Sequence, residues 1–102
     1  MKSYRLRFTL EAEEDLERLY DFLLQYDVQV AERAIATIHA SLDTLRKFPF
    51  ICRQAAGGAH GALIRELVIT FGATGFVALF EIDDDEIISI TAVRHQRESD
   101  YH

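Results

Sequence analysis

From residue 3 to residue 8 the chain alternates polar and apolar positions as SYRLRF, with Tyr4, Leu6 and Phe8 on one side and Arg5 and Arg7 on the other. A period of two marks a half-buried strand. The period then lengthens: Ala12, Leu16, Leu19, Tyr20 and Leu23 recur at helical spacing, which predicts an amphipathic helix over about residues 10–25. Thr9 stands before it as an N-cap, and Glu11, Glu13, Glu14, Asp15 and Glu17 follow at the positive end of the helix dipole. These acids read as a solvated first turn rather than as paired catalytic carboxylates.

A short break at Tyr26, Asp27 and Val28 supplies Asp27 as a second cap. Ala31, Ile35, Ile38, Leu42 and Leu45 then form one apolar stripe, so a second helix runs to about Lys47. Pro49 ends it, because the residue before a proline is pushed out of the α region. So short a connection implies an antiparallel helix hairpin. His39 falls beside the stripe with no partner at ligand spacing and reads as a surface or boundary residue rather than a metal ligand. Residues 50–61, FICRQAAGGAHG, are the irregular segment; Gly57, Gly58 and Gly61 loosen it, and no phosphate-loop lysine follows. Three runs come next: ALIRELVITF, FVALFEI and IISITAVRH, separated by the turns GATG and DDDE. They predict an antiparallel meander of largely covered strands, with Gly72 and Gly75 supplying positive φ at the first turn.

The expected architecture is α+β in the order β-α-α-β-β-β, a helix hairpin packed on a small, mostly antiparallel, twisted sheet. The first strand joins this sheet at an edge or pairs within it. Strict alternation puts Arg65 in line with Leu63, Leu67 and Ile69, Arg94 with Ile88, Ile90 and Ala92, and His95 with Ser89 and Thr91. An arginine in an apolar row needs solvent, an acid or a ligand, since an unpaired buried charge is costly. Glu66 and Glu98 are the available acids.

At 102 residues the chain makes one domain, residues 1–102, with a single core. No apolar run reaches the ~18 residues of a membrane span, and the start MKSYRLRF has no apolar leader core. The lone Cys52 has no internal disulfide partner. Together these features place the protein in the cytoplasm, away from membranes. Seventeen acids against eleven lysines and arginines give a net charge of −6, which disfavours broad nucleic-acid binding. The pattern implies neither a metal nor a cofactor. The polar tail is unusual: after the apolar run 87–93 come Arg94, His95, Gln96, Arg97, Glu98, Ser99, Asp100 and Tyr101.

The order of elements, together with several phrases, resembles the RelE/ParE superfamily of bacterial toxins from type II toxin–antitoxin pairs. The phrases are Ala12-x-x-Asp15-Leu16, Leu45-x-x-x-Pro49, Arg65-Glu66-Leu67, the run GFVALF at 75–80, and VRHQRE at 93–98 with Tyr101. The resemblance covers nearly the whole chain. It implies a toxin held inactive in a hetero-oligomer with a cognate antitoxin from a neighbouring gene, through helix-in-groove or strand-addition contacts. The acidic surface suggests basic residues on the antitoxin at the contact.

Two activities follow from the resemblance. RelE-like members cleave mRNA on the ribosome; here Arg65 and Arg94 would hold the phosphate and His95 or Tyr101 would move the proton. Such nucleases carry several lysines around the site, and this chain has only Lys2 and Lys47. ParE-like members inhibit DNA gyrase by binding it, and on that reading Arg53, Arg65, Arg94, His95 and Arg97 are contact residues. The long hairpin, the scarcity of lysine and the hydrophobic meander favour the ParE-like branch. A non-toxic binding protein that keeps the fold is the third reading.

Overall fold

The computed structural model describes residues 3–54, 64–84 and 86–96. Its elements are β1 (Arg5–Phe8), α1 (Leu10–Leu24), α2 (Val28–Leu45), a 3-10 turn (Pro49–Ile51), β2 (Arg53–Gln54), β3 (Arg65–Phe71), β4 (Thr74–Ile82) and β5 (Ile87–His95). The strands form one sheet in the order β1-β5-β4-β3-β2. Strands β3, β4 and β5 are the expected antiparallel meander, and β1 joins it as an edge, parallel to β5. The segment expected to be irregular begins with structure: the 3-10 turn leads into β2, whose two residues pair with Glu66 and Arg65.

Local chemistry sets the helix ends where the sequence put them. Thr9 accepts a hydrogen bond from the Ala12 amide, and Asp27 accepts from Gln29 and Val30, relieving orphan donors of each first turn. The helices bury Ala12, Leu19, Ala34, Ile38, Leu42 and Leu45. They lie against one face of the sheet, where Ile69, Phe76, Phe80, Ile88, Ile90 and Val93 complete the core. Each of the larger side chains contributes about 1.5–3 kcal/mol by leaving water. Among the described residues no helix is long and apolar enough to cross a membrane.

Two glycines were expected to serve the same purpose and do not. Gly72 has φ +62 in the two-residue link between β3 and β4, as a hairpin turn with glycine first requires. Gly75 has no positive φ. It is buried opposite Thr70, and a Cβ there would fall on the Ile69 carbonyl oxygen. Its role is close approach of two backbones, not turn geometry.

Candidate functional site

The cationic side chains are sorted by a break in one strand. Phe80 faces Ile90, but Leu79 faces Ala92, so β5 carries an extra residue, Thr91, at a β-bulge. Opposed residues in a ladder share a face, and one extra residue exchanges the faces beyond it. His95 therefore lies opposite Phe76 and in line with Val93, on the helix-covered side, while Arg94 lies opposite Val77 on the open side. This reverses both face assignments made from strict alternation.

The bulge is held from the first turns of α1. The Thr9 amide donates to the Ile90 carbonyl at 3.0 Å, and the Thr9 hydroxyl donates to the Thr91 carbonyl at 3.3 Å. The Thr91 hydroxyl reaches the Leu79 carbonyl, also at 3.3 Å. Asp15 accepts from the Val93 amide at 3.0 Å, with Arg18 against its other oxygen at 3.5 Å. Asp15 is thus not part of a solvated acidic turn. Its position on the Ala12–Leu16–Leu19 side of the helix is the sequence signal that singles it out from Glu11, Glu13 and Glu14.

On the open face, cross-strand register lines up Val68, Val77 and Arg94 across three strands, and Arg53, Glu66, Leu79 and Ala92 in the next row. Arg53 forms an ion pair with Glu66. Toward β1, Arg7 donates to Ser89 at 3.0 Å, and the buried Ser89 hydroxyl donates to Asp83. The open face therefore presents arginines at both ends with half-exposed valines between them.

Arg65 and His95 occupy the other face, at different places. Arg65 lies opposite Phe80 and His95 opposite Phe76. They are separated by about 13 Å along the strands and ~10 Å across the sheet, from ordinary strand spacings. Of the two acids available to it, Glu66 pairs with Arg53 and not with Arg65, because adjacent strand residues point to opposite faces. Instead Arg65 donates to the Cys52 carbonyl at 2.7 Å and its guanidinium sits 5.3 Å from the centre of the Phe50 ring. Burial raises the Cys52 thiol pKa, and the nearby Arg65 charge offsets part of that shift. His95 contacts Thr74 through Nε2 at 3.1 Å and meets Phe76 edge to face at 5.7 Å. Arg65, Arg94 and His95 thus do not converge on one point, as an in-line phosphoryl reaction would need. Arg97, Glu98, Tyr101 and the glycines of the loop lie outside the described residues. His39 is exposed on α2, and among the described residues no cluster has the composition of a metal site.

Comparison with known proteins gives the family. The model of the "ParE toxin of type II toxin-antitoxin system, parDE" matches residues 6–100. None of the curated protein sequences matches the chain. A solved structure described as "Chromosomal ParDE TA system from P. aeruginosa" superposes with a TM-score of 0.69 at 19% identity. The match covers 91% of this chain and 96% of that one, and at this identity the likeness is one of fold. With the family model spanning almost its whole length, the chain belongs to the ParE toxin family of type II toxin–antitoxin systems.

Proposed function

We propose that this toxin is neutralised by a cognate antitoxin in the cytoplasm and acts by binding and inhibiting DNA gyrase. The observation that carries the reading is the family match over residues 6–100. The dispersal of Arg65, Arg94 and His95 over two faces of the sheet supports a binding protein over the RelE-like endoribonuclease. On this reading the open face meets the target through the row Val68, Val77 and Arg94, with Arg94 at one end and Arg53 at the β2 edge. An exposed apolar row ending in arginine has the composition of an interface hot spot.

The test is a supercoiling assay with purified gyrase and antitoxin-free toxin. Arg94→Ala should raise the concentration needed for inhibition by about tenfold, as loss of a hot-spot contact does. His95→Ala should change it far less, because the ring packs on the helix-covered face. Under the nuclease reading the order reverses: His95→Ala would lower mRNA cleavage by roughly 10²–10⁴-fold through lost proton transfer.

A further inference from the structure

One turn of the chain exposes more large apolar surface than its surroundings explain. Around the 3-10 turn Pro49–Ile51, Phe48 is 45% exposed, Phe50 63% and Ile51 78%, while Pro49 between them is buried. Soluble proteins scatter single apolar residues over their surfaces, but three within four positions make a contiguous patch of the kind that marks an interaction site. The patch is also fixed in place. Pro49 is buried, and Arg65 holds the turn from below through the Cys52 carbonyl and the Phe50 ring. A preformed surface loses little entropy on binding.

Its charges differ from those of the whole molecule. Lys47 precedes the patch, and Arg65 lies beneath it, half-buried and with no carboxylate partner among the described residues. The neighbouring Arg46 and Arg53 are already paired with Asp43 and Glu66. On a chain of net charge −6 the described residues of this corner carry more cations than acids. A partly desolvated guanidinium without a counter-ion among the described residues favours an incoming carboxylate, and the exposed Phe and Ile side chains favour aliphatic or aromatic groups beside it. A polyanion such as RNA fits poorly, because Asp43 and Glu66 flank the corner and two of its four cations are occupied.

Resting on the toxin–antitoxin reading, we propose that the turn at residues 48–51 is the anchor for an acidic, aliphatic-bearing segment of the antitoxin, with a carboxylate of that segment set against Lys47 and Arg65. This is opposite in sign to the basic contact that the overall charge suggests. The turn leads directly into β2, the edge strand carrying Arg53.

The experiment titrates the antitoxin encoded beside the toxin against three purified toxins: the unaltered chain, the double variant Phe50→Ser/Ile51→Ser, and Lys47→Glu. The double variant should weaken binding by at least about tenfold. Lys47→Glu should weaken it by a few-fold and flatten its dependence on salt. Gyrase inhibition by each free variant should match that of the unaltered toxin. Binding within twofold of the unaltered toxin for both variants overturns the proposal, as does lost gyrase inhibition with antitoxin affinity intact, which would assign the turn to the target. Lys47→Glu changes only an exposed side chain and decides the matter if the double variant does not fold. An unaltered toxin that binds antitoxin but leaves gyrase untouched contradicts the gyrase reading alone; absence of antitoxin binding overturns the anchor.

Discussion

Asp15 is the residue whose role most changes between sequence and structure. Five acids in seven positions read as one solvated cluster, yet one of them accepts the Val93 amide of a strand 78 residues away. Asp15→Ala leaves that donor without its partner and should lower stability by about 1–3 kcal/mol in urea unfolding. Asp15→Asn keeps an acceptor oxygen and should restore most of the loss; equal effects from both would mean that charge, not the hydrogen bond, matters. Cys52 gives a second residue-scale prediction. Its folded pKa is raised above 9.0, chiefly by burial, so the native protein retains a proton that the unfolded chain has already released. Stability from this group is therefore complete below pH 9.0 and falls as pH climbs through the raised value. Iodoacetamide should label the native thiol more slowly than the urea-unfolded one just above pH 9.0; an equal or faster native rate would contradict the assignment. Sequence reading identified Arg65 as a residue needing a partner, but that partner is a carbonyl and a ring. Backbone acceptors and aromatic faces cannot be read from charge pattern, which offers only the acids Glu66 and Glu98.

At the scale of elements, both helices, the caps Thr9 and Asp27 and all three meander strands were legible, because each writes its period over many residues. The bulge was not. IISITAVRH is apolar at most positions, so alternation has no unique phase, and what fixes the phase lies in Thr9 and Asp15 on another element. The parallel pairing of β1 with β5 was equally hidden, since the partners are 82 residues apart. The β3–β4 hairpin offers the sharpest test of an element. Gly75→Ala forces a methyl onto the Ile69 carbonyl and should destabilise by about 1–3 kcal/mol or more, as overpacking does. Gly72→Ala meets open space and only the φ penalty, about 1–2 kcal/mol. A Gly75→Ala protein as stable as the parent would remove close approach as the reason for that glycine.

At the scale of the whole molecule, the sheet separates two sets of arginines that the sequence grouped together. Arg53 and Arg94 lie on the open face, while Arg65 braces the 3-10 turn from the covered one. A net charge of −6 hides this separation, because Glu11, Glu13, Glu14 and Glu17 on α1 dominate the sum. Fold-level likeness to the P. aeruginosa ParDE structure survives at 19% identity, since packing volume and period are retained more readily than particular side chains. Binding of gyrase and cutting of RNA, the two actions proposed for this fold, are separable in one experiment. One preparation of antitoxin-free toxin should be divided between two assays, supercoiling and DNA cleavage by purified gyrase, and mapping of mRNA ends in a reconstituted translation reaction. A gyrase-binding toxin inhibits gyrase and leaves mRNA intact. Ribosome-dependent cuts with normal gyrase activity would contradict that reading, and silence in both would identify a binding protein that keeps the toxin fold without its action.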